Sequence, residues 1–190
     1  MVQSRTLLLA FLALFVGGCY VPPKLPPEKE APPFKGKAPA DQKHYSLLDL
    51  LLKGPVLIVF LPPNCSPGYA AISYFELLAK VYEGKATVIG LYVDQEEPTA
   101  AWVQKQKPKF TVVPDVDHHI AEKYKMEFGP SAVLVNRNSE IIGRWETWSA
   151  ASLTEINQKM AEILKVEPAL VDTKSAPPSG PRCRLIQDQR

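Results

Sequence analysis

At 190 residues the chain is long enough for one ordinary domain with a real core plus tails. A formal charge of +2, with 22% charged residues and no basic block, gives no support to nucleic-acid binding. Three cysteines are too few for a small scaffold held together by disulfides.

The first residues read as a targeting signal. Arg5 supplies a positive start, and Leu7 to Val16 is an apolar run too short to span a bilayer. It ends in Val16-Gly17-Gly18-Cys19, small residues before a cysteine. This resembles the bacterial lipobox, which implies cleavage after residue 18 and acylation of Cys19. Two or three acyl chains anchor a protein firmly. The expectation is a signal peptide over 1–18 and a lipid anchor in the bacterial cell envelope, with the domain facing the periplasm or the cell exterior. An ordinary secretory signal is the alternative.

Residues 19–43 read as the lipidated cysteine followed by a linker. Seven prolines between Tyr20 and Lys43 favour extended polyproline II. At about 3.1 Å per residue such a linker reaches roughly 70 Å. Residues 44–167 read as the folded domain. After Pro168, Lys174-Ser175-Ala176-Pro177-Pro178-Ser179-Gly180-Pro181 has the composition of a disordered tail, assigned to 168–190.

Within the domain, Val56 to Leu61 is an apolar, β-branched run that predicts a buried strand. It ends in Pro62-Pro63-Asn64-Cys65-Ser66-Pro67-Gly68, a turn that delivers one thiol to the start of a helix, where the positive end of the backbone dipole favours thiolate. Pro67 suits the first helical turn. Ile72, Phe75, Leu78, Ala79 and Tyr82 then recur at helical spacing up to Gly84. Ala86 to Val93 predicts a second strand buried on both faces. Glu97-Pro98 opens a helix through Trp102 to Gln106, and Lys109 to Val113 is a short extended piece. Asp117 is placed as the N-cap of a helix running to Tyr124. Ser131–Val135 and Glu140–Trp145 predict two strands joined by the Asn136-Arg137-Asn138-Ser139 turn. Ser152-Leu153-Thr154-Glu155 reads as a capping box opening a last helix, whose stripe is Leu153, Ile156, Met160, Ile163 and Leu164. Alternating strands and helices predict an α/β fold with a central mixed sheet flanked by helices on both faces.

The order of elements, the strand ending in Cys65 and the hairpin preceded by Phe128-Gly129-Pro130 resemble the thioredoxin-like superfamily. The nearest branch is that of membrane-tethered, extracytoplasmic thiol–disulfide oxidoreductases and AhpC/TSA-like redoxins. The resemblance spans about 120 residues. It implies a thioredoxin-like fold, a reactive thiol at Cys65 and a cis proline at Pro130 facing it, the X–Pro bond being the kind that folds can hold cis. It implies protein thiols or disulfides as partners and calls for neither cofactor nor metal.

The departures from the family pattern are specific. Gly68 stands where a dithiol motif has its second cysteine, so the motif is degenerate. Tyr69-Ala70-Ala71 holds no acidic residue to assist proton transfer. Pro62 replaces the threonine or serine of a peroxidase site, which weighs against a one-cysteine peroxidase. Tyr69 replaces the second cysteine of a copper-delivering relative. The expectation is monothiol redox or thiol–disulfide exchange chemistry at Cys65, with a non-catalytic module presenting the cis-proline groove to a protein partner as the alternative. In the first case the thiol is reactive; in the second it is an inherited cysteine packed at a strand end.

Cys183, between Arg182 and Arg184, is the candidate resolving cysteine. A mobile tail would let it reach Cys65, since closing a long loop costs little more than closing a short one. A minor oxidised monomer linked Cys65–Cys183 is expected, competing with intermolecular dimers; a free or partner-linked tail thiol is the plainer reading. His118-His119 does not suggest a metal site, because adjacent helical residues point about 100° apart and cannot share a ligand face. Trp145 and Trp148 are expected to pack against the last helix.

Overall fold

In the computed structural model of the protein, the described residues are 29–186. The expected signal peptide, Cys19 and the first part of the expected linker lie outside them. In chain order the elements are β1 (Lys35–Lys37), β2 (His44–Ser46), α1 (Leu47–Lys53), β3 (Val56–Leu61), α2 (Ser66–Val81), β4 (Thr87–Tyr92), α3 (Glu96–Gln106) and β5 (Thr111–Pro114). A 3₁₀ turn (Val116–His118) then leads to α4 (His119–Lys123), β6 (Phe128–Gly129), β7 (Ser131–Val135), β8 (Ile141–Trp145), α5 (Ala150–Leu164) and β9 (Cys183–Arg184).

Every residue of β3 is buried, as a run with no polar face requires. It lies at the centre of a five-stranded sheet of order β5-β4-β3-β7-β8. It runs parallel to β4 and antiparallel to β7, and β4 is parallel to β5. The sheet is therefore mixed. Side chains alternate across it, and that alternation divides the core. Leu57, Val59 and Leu61 pack with Ile72, Phe75 and Leu78 of α2 and with Leu153, Ile156 and Met160 of α5. Val56, Ile58 and Phe60 share the opposite cluster with Leu47, Leu50 and Leu51 of α1, Ala121 of α4 and Tyr124. Each large side chain so buried contributes about 1.5–3 kcal/mol, and the two faces together hold the sheet between helices.

Three local expectations are corrected. The last helix starts earlier, at Ala150, and its capping box is Ser149 with Ser152: the Ser152 N–H donates to Ser149 Oγ at 3.1 Å and the Ser149 N–H to Ser152 Oγ at 2.7 Å. Ser152 belongs to the box, but as its third helical residue. Asp117 is not a helix cap; it sits in the 3₁₀ turn with φ 56°. Asp115 serves α4 in its place, its two carboxylate oxygens accepting from the Ile120 N–H at 2.7 Å and the Ala121 N–H at 2.8 Å. Asp115 is fully buried, and that burial pushes its carboxyl above the ordinary value against the pull of the two N–H groups.

The domain is also longer at both ends than 44–167. Before His44, β1 pairs with β2, and Ala31, Phe34 and Ala38 are buried against the α1 face. The Tyr124 hydroxyl donates to the Pro32 carbonyl at 2.8 Å, tying this segment to the core. A Pro-rich composition here marks an extended strap rather than a free linker.

After Leu164 the chain does not leave the domain. Asn157 Nδ2 donates to the Ala169 carbonyl at 2.8 Å, and the Asn157 side-chain oxygen accepts from the Tyr82 hydroxyl at 2.6 Å. The Ala150 N–H donates to the Pro177 carbonyl at 3.1 Å, and Ala176 is buried. Gly180 passes so near the Trp148 backbone that a Cβ there would collide with it. The expectation of a disordered tail over 168–190 is corrected for residues 168–186. Few apolar residues are present, but backbone hydrogen bonds and small side chains fit the tail to the surface, which composition alone does not register.

Candidate functional site at Cys65, Pro130 and Cys183

The site lies at the carboxyl end of β3. Asn64 turns the chain with φ 52°, a conformation that asparagine tolerates better than most residues, and Cys65 follows as the N-cap of α2. The Gly68 N–H donates to the Cys65 carbonyl at 2.9 Å and closes the first turn. No acidic side chain occupies that turn, so nothing there offsets the positive end of the helix next to the sulfur.

Pro130 is brought to the same point by β7. Ser131 pairs with Phe60, so the residue before it stands beside the end of β3, and the Gly129–Pro130 bond is cis. Gly68 lies between the two. A Cβ at Gly68 would sit 3.4 Å from Pro130 Cγ and 3.5 Å from Cys65 Sγ, in ordinary contact with both. The position that lacks the second cysteine therefore lies against the Cys65 sulfur, where a Cβ would make ordinary contact.

Cys65 is bonded to Cys183, with a Cα–Cα distance of 6.0 Å. The structure thus brings Cys65, Pro130, Gly68 and Cys183 together. Cys183 arrives on β9, which pairs antiparallel with β6: Gly129 faces Cys183 and Phe128 faces Arg184. The Leu185 N–H donates to the Glu127 carbonyl at 2.9 Å. Leu185 itself is fully buried in the cluster that holds Phe60, Tyr124 and Met126. The Arg182 guanidinium carbon lies 4.4 Å above the Phe128 ring, and that of Arg184 5.7 Å from it.

Sequence reasoning missed Leu185 and Phe128 as part of this site. The signal was present in Arg182-Cys183-Arg184-Leu185, an alternation of charged and uncharged residues with strand period, but it is only four residues long and follows a Pro-rich stretch. Beside the Asn64 backbone lies Tyr92, whose hydroxyl is pushed up to about 12, chiefly by burial. Its ring packs on Trp102 at 4.8 Å between centroids.

Trp145 and Trp148 are both buried, and Trp145 Nε1 donates to Glu155 on α5 at 3.0 Å. His118 closes the 3₁₀ turn and His119 opens α4. Among the described residues no group of three or more His, Cys, Asp or Glu side chains comes together as a metal site.

Comparison with known protein families matches residues 27–144, more than half of the chain, to the AhpC/TSA family. Among solved structures the chain is similar to a protein from Chlorobium tepidum provisionally described as the thiol:disulfide interchange protein DsbE. The two share 17% identity with a TM-score of 0.65, over 72% of this chain and 96% of that one. It is similar to the exposed lipoprotein thioredoxin Etrx1 of Streptococcus pneumoniae, at 18% identity and a TM-score of 0.61, over 69% and 99% of the two chains. It is similar also to the peroxidoxin BcpB of Mycobacterium tuberculosis, at 17% identity and a TM-score of 0.59, over 73% and 96%. A comparison with curated proteins finds no match. At these identities the structures speak for the fold, which is thioredoxin-like: a mixed sheet between helices, with a cysteine at a helix start against a cis proline. With the match over residues 27–144, the chain belongs to the AhpC/TSA family of the thioredoxin-like redoxins.

Proposed function

We propose that this protein is a thiol–disulfide exchange protein, held to the bacterial envelope through a lipidated Cys19, in which Cys65 is the reacting sulfur and Cys183 its resolving partner. The observation that carries this reading is the Cys65–Cys183 bond at the start of α2, beside Pro130. Gly68 leaves Cys65 without a neighbour in its own turn, and the tail supplies the second sulfur. The monothiol chemistry expected from the sequence becomes a two-thiol cycle.

The two cysteines differ in burial. Cys65 is buried and Cys183 is half-buried. An incoming reductant thiolate attacks the Cys183 sulfur, the Cys65–Cys183 bond breaks, and Cys65 leaves as thiolate with the bonding pair. The helix start favours that leaving group. A second thiol of the reductant attacks the mixed disulfide, frees Cys183 and leaves the reductant as a disulfide, two electrons having passed to the protein. The Cys65 thiolate then attacks a disulfide of a partner protein, bonding one partner sulfur and releasing the other as thiolate. Cys183 returns to attack Cys65, the mixed bond breaks, and the partner leaves reduced. The cycle uses only these two sulfurs.

Burial of Cys65 favours a second reading, a binding module in which the disulfide is a permanent staple. The full chain separates the two when equilibrated in glutathione buffers of graded ratio under native conditions, with free thiols alkylated and mapped. The exchange reading expects reversible reduction of Cys65–Cys183, and a Cys183→Ser protein that accumulates mixed disulfides at Cys65. A disulfide that opens only on unfolding overturns it in favour of the staple.

A further inference from the structure

The tail over residues 181–186 is seated as a bound peptide is. Between Pro181 and Ile186 the tail joins neither a helix nor the central sheet. It is held by strand pairing with Phe128 and Gly129, by the Leu185 N–H on the Glu127 carbonyl, by Leu185 in a buried slot and by Arg182 above the Phe128 ring. Strand addition with alternate side chains in pockets is how one polypeptide recognises an extended segment of another. The covalent hold on this segment is the Cys65–Cys183 disulfide, the class of bond on which thiol exchange acts.

We propose that opening Cys65–Cys183 turns this strip into a docking site for an extended segment of a partner polypeptide. That segment carries a cysteine with a basic residue on each side and a large aliphatic residue two positions after it, and the tail is its tethered stand-in. The proposal rests on the exchange chemistry proposed above and names the class of partner that such chemistry serves.

The register states what the partner supplies. Its cysteine stands opposite Gly129, as Cys183 does. Side chains two apart in a strand point to the same side, so the second residue after the cysteine enters the slot that Leu185 fills. The residues flanking the cysteine point the other way, over Phe128, where a cation gains and an acid loses. Gly129 permits the close approach: a Cβ there would lie 2.8 Å from the Phe60 carbonyl oxygen and 2.9 Å from Leu185 Cδ2.

Because it belongs to the same chain, the tail competes at high effective concentration. Leu185→Asp should unseat it, since a carboxylate placed in an apolar slot costs far more than a leucine gains. The test uses the full chain with Cys183→Ser and Leu185→Asp. The probe is the hexapeptide Pro-Arg-Cys-Arg-Leu-Ile, its cysteine joined to thionitrobenzoate. The Cys65 thiolate attacks the peptide sulfur, the peptide–thionitrobenzoate bond breaks, and thionitrobenzoate leaves as a coloured thiolate with the electron pair.

This peptide should react at least about tenfold faster than one with aspartate in place of its leucine, in line with the burial of one aliphatic side chain. It should also outpace a peptide with glutamate in place of both arginines. The Cys183→Ser chain with Leu185 intact should give the same ranking at lower rates, because the seated tail competes; it also guards against a misfolded double variant. Equal rates for all three peptides, with Cys65 still reacting normally with a small aromatic disulfide, overturn the docking site and leave the exchange reading standing. Peptide-independent dimers formed through the tails of two copies overturn it in favour of tail exchange. A Cys65 inert even to the small disulfide overturns both readings.

Discussion

Gly129 and Cys183 face each other across two short antiparallel strands, while Cys183 is bonded to Cys65, 118 residues earlier in the chain. The loop containing the cis proline therefore holds both the groove wall and the strand that carries the second sulfur. In a dithiol motif the two sulfurs are joined by one helical turn and move together. On the exchange reading proposed above, the second sulfur rides on a segment that leaves when the bond opens, so reduction changes what covers Cys65. Chemistry and access are then coupled through the same six residues, 181–186.

Removing Cys183 should weaken the oxidised protein. A disulfide that closes so long a loop restricts the unfolded chain, and losing it typically costs about 2–4 kcal/mol. Oxidised wild type should therefore unfold at higher urea than Cys183→Ser, and reduced wild type should match the variant. Coincident urea midpoints for all three would show that the bond contributes nothing to the native state.

Much of this fold could be read from the residues. Val56–Leu61, the helical stripe from Ile72 to Tyr82 and the hairpin from Ser131 to Trp145 carry strong periodicity, and Cys65 and Pro130 are fixed by where those elements end. The tail could not be read in that way. Its hold consists of backbone hydrogen bonds to Asn157, Tyr82, Ala150 and Glu127, the glycine contact at Trp148 and one buried leucine. None of these leaves a periodic pattern. The strap before His44 was hidden likewise, because isolated Ala31, Phe34 and Ala38 among prolines do not form a stripe.

Asp115 should be one of the more sensitive polar positions. Its carboxylate is fully buried and satisfies the Ile120 and Ala121 N–H groups at the start of α4. Asp115→Ala strands both donors, at a cost of about 1–3 kcal/mol. Hydrogen exchange should locate the loss at the α4 amides; a variant as stable as wild type, with those amides still protected, would contradict the assignment of the cap.

Stability should fall in alkali. Burial raises the Tyr92 hydroxyl from 10.0 to about 12, so the folded protein holds that proton when the unfolded chain has lost it. The contribution is complete below pH 10 and is lost as the pH rises to about 12, on the order of 2 kcal/mol. Tyr82 and Tyr124 shift the same way by burial, so Tyr92→Phe should reduce the slope rather than abolish it. Urea midpoints measured from pH 9 to pH 12 decide the point, and identical slopes for the two proteins would refute it.

Anchoring should depend on one residue. The expectation comes from Val16-Gly17-Gly18-Cys19 following a short apolar run. Wild type should partition with membranes and carry acyl chains on Cys19, and Cys19→Ser should lose both. Mass spectrometry showing an unlipidated, cleaved wild type in its native host would remove the lipid anchor from the proposal.

Gly68→Cys offers the most direct test of why the second cysteine is missing. A Cβ at this position falls 3.5 Å from Cys65 Sγ and 3.4 Å from Pro130 Cγ, at ordinary contact distance from both. Its sulfur then competes for Cys65 with a tail that must be held in place by Leu185 and strand pairing. A partner within one helical turn needs no long loop closed, and closure entropy grows only slowly but consistently with length. We expect the bond between Cys65 and the introduced cysteine to become the main one, with Cys183 recovered as a free thiol on peptide mapping. Insulin reduction should rise well above wild type, because the resolving sulfur no longer has to return with the tail. If Cys65–Cys183 persists as the sole bond in a well-folded Gly68→Cys protein, the tail outcompetes a sulfur in the adjacent turn. The strand pairing at Gly129 and the Leu185 slot would then dominate the site, and the glycine would be incidental to the choice of partner.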